Sequence, residues 1–107
     1  MEIDCVMVWT TIGSSTDGHN LASVLVGERL AACVNVLSEM DSVYRWNGKI
    51  ESDRERQVIM KTTTGRIAAL QARVHELHDY DVPEFVVVPI IGGSDAYLQW
   101  IRESTAG

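Results

Sequence analysis

The densest concentration of chemically capable side chains in the 107-residue sequence is the run His78-Asp79-Tyr80-Asp81-Val82-Pro83-Glu84. It packs an imidazole, three carboxylates and a phenol around a proline, and such nitrogen and oxygen donors can hold a divalent cation. The same groups could instead cap a helix and orient a turn, or pair with a cation such as Lys61. His75 and His78 are three apart, so on a helix they would share a face. Their spacing is not the His-Glu-x-x-His of zinc peptidases. One solvated histidine and one against the last helical carbonyls is the plainer alternative. His19, ahead of the first expected helix, reads as solvated.

Further candidates lie elsewhere in the chain. Lys61-Thr62-Thr63 at a strand-to-helix junction could meet an anion, although Gly65 stands alone without a phosphate-loop pattern, and threonines there also serve as helix caps. Tyr44, Trp46, Tyr97 and Trp100 could wall an aromatic cleft, or could be packing and interface residues. Cys5 and Cys33 sit in apolar runs and read first as small buried hydrophobes of a reducing compartment. With no Cys-x-x-Cys, a zinc ribbon or thioredoxin-type site is excluded. No serine or cysteine occupies an activating motif, so nothing demands an enzyme; His78 with Glu84 is the one acid–base pair a hydrolase could use.

These residues need elements to position them. Cys5–Thr11 is a short β-rich apolar run, read as a buried strand. A helix is expected from Asp17 to about Arg29, capped by Thr16 or Asp17 and burying Leu21, Val24 and Leu25. A strand follows over Ala31–Leu37 and resumes after Asp41 into Val43–Trp46. Asn47-Gly48 is a strong hairpin signal, placing Trp46 opposite Lys49 and Tyr44 opposite Glu51. The return strand ends in Val58–Lys61. A second helix is expected from Arg66 to about His78, then a buried strand over Glu84–Ile90, and a last helix capped by Ser94.

The order β-α-β-β-α-β with a C-terminal helix is the α+β ferredoxin-like split βαβ arrangement, one domain over residues 1–107. The first and last strands are expected to be the inner pair, because both are apolar at successive positions. They would leave a sheet face that only self-association covers. Cys5 and Cys33, on strands that are not neighbours, should not be bridged.

Composition narrows the partners. The net charge of −6 speaks against nucleic acid and anionic membranes. No run approaches the roughly 18 apolar residues of a spanning helix. The acidic start Met1-Glu2-Ile3-Asp4 is unlike a secretory leader, so a cytoplasmic protein is expected.

Five blocks resemble the CutA, or divalent-cation tolerance, family: Arg29–Asn35, Tyr44–Ile50, Lys61–Thr63, His78–Glu84 and Tyr97–Trp100. They keep the family's order and span nearly the whole chain. The resemblance implies a cytoplasmic homotrimer joined through its sheets, similar in design to the PII signalling proteins and linked to copper and other divalent metals. It places Cys33 and His78 at positions associated with copper-binding members. Lys61, Tyr44, Trp46, Tyr80 and Glu84 match residues around the cleft between subunits. The chain departs from the family in its first loop, Thr10–Thr16, and lacks the further cysteines of some copper-binding members. What the resemblance implies is a trimeric metal-binding protein, or alternatively a PII-like sensor or adaptor using its cleft.

Overall fold

The structure, a computed structural model, describes residues 3–107; Met1 and Glu2 of the acidic N-terminal stretch lie outside it. The elements are β1 (Cys5–Gly13), α1 (Gly18–Gly27), β2 (Cys33–Trp46), β3 (Lys49–Thr63), a 3-10 turn (Thr64–Arg66), α2 (Ile67–Leu77), β4 (Val86–Pro89) and α3 (Asp95–Thr105). All neighbouring strands are antiparallel, in the order β2-β3-β1-β4. This is the expected split βαβ arrangement.

The inner pair is β1 and β3, not the first and last strands. Each helical crossover joins two parallel strands and leaves a gap of one strand between them, which the other unit fills. β4 therefore sits at the edge, pairing only with β1, and Val86 and Val87 are exposed. Its unbroken apolar run was misleading. Such a run marks surface that avoids water in the working protein, and it does not report a strand's place in the sheet.

The Asn47-Gly48 turn behaves as expected. Asn47 has φ 50° and Gly48 φ 77°, with Trp46 opposite Lys49 and Tyr44 opposite Glu51. β2 is one continuous strand, not two runs. Its register slips between Val36 and Glu39, where three steps on β2 match two on β3. A bulge of this kind exchanges the faces of all later residues. Before it, Val34 and Val36 pack toward the helices. After it, Met40 and Tyr44 stand opposite Glu55 and Glu51, on the face turned away from the helices.

The main core lies between the sheet and the first two helices. Val6, Val8 and Ile12 of β1 and Val58 and Met60 of β3 meet Leu21 and Leu25 of α1 and Leu70 and Val74 of α2. α1 starts at Asp17, whose side chain accepts from the Asn20 amide at 3.0 Å. Gly18 behind it allows close approach to Val36 and Ile12. His19, expected in the preceding loop, is exposed in the first turn of α1.

On the opposite face, α3 covers only one end of the sheet, where Ile101 packs with Cys5 and Ala32 and against Leu98 and Ile90. Tyr97 and Trp100 point outward from it. Both cysteines are free, as the strand order requires. No helix is long and apolar enough to cross a membrane.

Candidate functional site

α2 stops at Leu77, one residue short of the expected end, and His78 turns extended at φ −91°, ψ 144°. The two histidines therefore do not share a helical face. His75 stays on the helix, edge-on to Phe85 with ring centroids 6.3 Å apart. His78 folds back on the sheet instead. Its Nδ1 accepts from the Tyr80 amide at 3.1 Å, and Nε2 lies 2.6 Å from the Thr11 carbonyl. An acceptor at Nδ1 fixes the neutral tautomer whose Nε2–H donates to Thr11.

The segment after His78 is held by side chains across the helix-free face of the sheet. The Tyr80 hydroxyl donates to Glu55 at 2.7 Å. Gln57 donates to Glu84 at 3.0 Å and to the Thr10 carbonyl at 2.7 Å. The Thr16 hydroxyl donates to Asp79 at 3.3 Å. Between this segment and the β2–β3 hairpin opens a cleft of about 1080 Å³. Tyr44, Trp46 and Tyr80 line it, together with Asp41, Asp53, Glu55, Asp79, Asp81 and Glu84.

The cleft is electronegative. Its one arginine, Arg54, pairs with Asp41 at 3.4 Å and Glu39 at 3.8 Å. Both tyrosines donate to carboxylates, Tyr44 to Asp53 and Tyr80 to Glu55. The bond to Asp53 is the main reason the Tyr44 phenol is pushed up to about 12. Burial first, and the Glu55 carboxylate second, raise Tyr80. Glu55 itself is only 6 % exposed.

Of the residues singled out from sequence, Tyr44, Trp46, Tyr80 and Glu84 come together here. Lys61 does not. It stands opposite Met7 and Cys33, four residues and about 13 Å along β3 from Gln57. There its ammonium donates to the Tyr97 hydroxyl at 3.2 Å and lies 5.6 Å from that ring's centroid. The expected pairing of Lys61 with the His78–Glu84 cluster is therefore absent.

The four aromatics likewise divide into two groups. Tyr97 and Trp100 stack with centroids 5.4 Å apart beside Lys61, while Tyr44 and Trp46 line the cleft. Thr62 is no helix cap: buried, it donates to the Leu30 carbonyl at 2.8 Å, and Thr63 makes no capping bond.

Cys33 and His78 lie at different levels of the sheet. Cys33 pairs with Lys61, whereas His78 bonds to Thr11, which pairs with Gln57. Both ring nitrogens of His78 are already engaged, and the Cys33 thiol contacts Asn35 at 3.7 Å. Among the described residues, no three of His, Cys, Asp and Glu converge in a way that could hold a metal ion. The donor set of one chain thus does not fit a closed metal centre.

Asp53, Glu55 and Gln57 were not singled out as functional from sequence, being read only as a charged return strand. The hairpin register carried the signal, because alternate residues of β3 must face Tyr44 and Met40.

Comparison with known proteins agrees with this architecture. The family described as CutA1 divalent ion tolerance protein matches residues 6–104. A divalent-cation tolerance protein CutA of Thermus thermophilus is 44% identical over 99 residues, covering 92% of this chain and 96% of that one. Chloroplastic protein CutA of Arabidopsis thaliana is 43% identical over 103 residues, covering 96% of this chain. The chain spans 57% of the Arabidopsis protein's length and 58% of a rice relative's. The crystal structure of CutA1 from Oryza sativa superposes with a TM-score of 0.92 at 39% identity, covering 97% of this chain and 95% of that one. Sequence blocks, strand order and superposition converge on one conclusion: the chain belongs to the CutA1 divalent ion tolerance family.

Proposed function

We propose that the protein serves in tolerance of divalent cations, as a cytoplasmic homotrimer joined through the helix-free faces of its sheets. The observation that carries this reading is the cleft, where six carboxylates face a single, already paired arginine. A concave surface of one sign concentrates counter-ions and raises their local activity. The net charge of −6 per chain strengthens that field on assembly. Relatives named for divalent-cation tolerance support the role. Exposed Tyr44, Trp46, Tyr97, Trp100 and Val86 support assembly, since apolar surface of this extent marks an interaction face. Two unbridged thiols fit a reducing compartment.

Copper is one candidate ion, and His78 with Cys33 are its softest donors. Recruiting His78 requires breaking one of its two hydrogen bonds, so carboxylates carry the binding and the affinity is weak. Calorimetric titration of the assembled protein with Cu²⁺, Zn²⁺ and Mg²⁺ tests this. The expected result is saturable heat that persists in His78→Ala and is lost when Asp79, Asp81 and Glu84 become amides. No saturable heat with any ion refutes it.

A second reading is favoured by the size of the cleft and its three aromatic walls. It is a PII-like sensor or adaptor in which the cleft takes a small organic ligand. A thermal-shift screen against small charged molecules tests it, because a ligand that binds only the folded state raises the unfolding temperature.

A further inference from the structure

Resting on the second reading, that the cleft takes a small ligand, we infer that this ligand is an organic cation, a primary alkylammonium or short diamine. The argument starts at Glu55. Its carboxylate is 6 % exposed, lines the cleft and accepts one hydrogen bond, from the neutral Tyr80 hydroxyl. Among the described residues it has no ion-pair partner. Buried charges are ordinarily paired, because removing a carboxylate from water without a counter-charge is costly. A cationic ligand supplies the missing partner.

The surroundings decide which kind of cation. Divalent metals require several oxygen or nitrogen donors converging within about 2.0–2.6 Å of one point. The carboxylates here are strung along the cleft, and no three of them gather. Asp53 and Glu55 each already accept from a phenol, Tyr44 and Tyr80 respectively. Rings of Tyr44, Trp46 and Tyr80 line the same space. Aromatic faces attract organic cations within about 6 Å and pack against their methylene chains, whereas a hydrated metal ion gains little from them.

Asp53 and Glu55 are successive residues on one face of β3, and such residues lie about 7 Å apart. A diamine with a four- or five-carbon spacer matches that separation, one ammonium at each carboxylate. Its three N–H donors per end also suit the remaining carboxylate lone pairs.

The test is titration of the whole assembled protein with putrescine, read by calorimetry and by tryptophan emission, with butanediol and succinate as neutral and anionic controls of the same length. Saturable binding of one putrescine per chain is expected, weakened at least tenfold in Glu55→Gln and in Asp53→Asn, with both controls inert. Asp53 is exposed, so its variant keeps the test decisive if Glu55→Gln disturbs folding. Absence of saturable putrescine binding overturns the inference, as does unchanged affinity in both variants. Succinate binding with putrescine inert overturns it too, while leaving the cleft as a ligand site. Failure of all three molecules removes both.

Discussion

The bond between Tyr80 and Glu55 is the strongest tie holding the cleft's mobile-looking wall to the sheet, and its removal has a calculable cost. The Tyr80 hydroxyl donates at 2.7 Å to a carboxylate that is 6 % exposed. A hydrogen bond to a charged group contributes about 1.5–3 kcal/mol. Tyr80 is 38 % exposed, so water competes for the phenol and the low end applies, giving Tyr80→Phe a cost of about 1.5 kcal/mol. Glu55→Gln retains an acceptor and loses only the charge assistance, which halves the cost to about 0.8 kcal/mol. In the double variant the shared bond is already gone, so its cost falls short of the sum by about 1 kcal/mol.

Urea unfolding at fixed protomer concentration reads these differences. Thermal midpoints would shift by roughly 4–8 °C per kcal/mol for a domain of this size. The alkaline limb provides an independent check. Burial and Glu55 raise the Tyr80 phenol above its ordinary value of 10.0, so the folded state holds that proton more tightly than the unfolded state. The resulting stability is complete below pH 10 and is lost as pH climbs toward the folded value. The gap between wild type and Tyr80→Phe therefore narrows above pH 10. Additive single costs, or a gap that stays constant to high pH, would refute the reasoning.

Other substitutions test the frame around the cleft. Leu70→Ala, at a fully buried site between α2 and the sheet, should cost about 2–5 kcal/mol in denaturant unfolding. Gly18→Ala places a Cβ 2.8 Å from Val36 Cγ1, and the stiff valine cannot withdraw cheaply; a loss of about 1–3 kcal/mol is expected by the same measurement. Gly48→Ala forces alanine to φ 77° at the hairpin tip and should cost roughly 1–2 kcal/mol without disturbing the main core. The hydrogen bond from Arg102 holds the Asp4 carboxyl below its ordinary 3.8, so the pair stabilises the fold above that pH and ceases to do so as pH falls through the folded value. Acid titrations should show Arg102→Met diverging from wild type above pH 3.8 and converging below it.

Much of this architecture was legible in the residues. Asn47-Gly48 fixed the hairpin register to the residue, because both positions need φ above zero. The stripe Ile67, Leu70, Val74 and Leu77 marked the buried side of α2. Strand order was less accessible. Successive apolar residues in β1 and β4 suggested the same environment, yet one strand is central and the other peripheral. Local pattern reports which surface avoids water, and it does not report which other surface covers it.

The cleft was half visible. Tyr80 and Glu84 stood out because they are crowded into one short segment, and Tyr44 and Trp46 because they are aromatic. Asp53 and Glu55 looked like ordinary solvated charges. Only the bulge after Val36, which exchanges the faces of β2, sets Tyr44 and Met40 above them. Lys61 failed for the complementary reason: its neighbours in sequence suggested a site, but its place on β3 lies too far along the strand.

The position of β1 has a consequence for how the chain is built. The first strand to leave the ribosome is central, and both of its partners, Lys49–Thr63 and Val86–Pro89, are made later. The β2–β3 hairpin closes through a two-residue turn and can form alone, on the scale of about 1–10 μs. β1 must wait for it, and β4 has nothing but β1 to join. Removing Cys5–Gly13 from the N-terminus would therefore not trim the sheet but cut it in two.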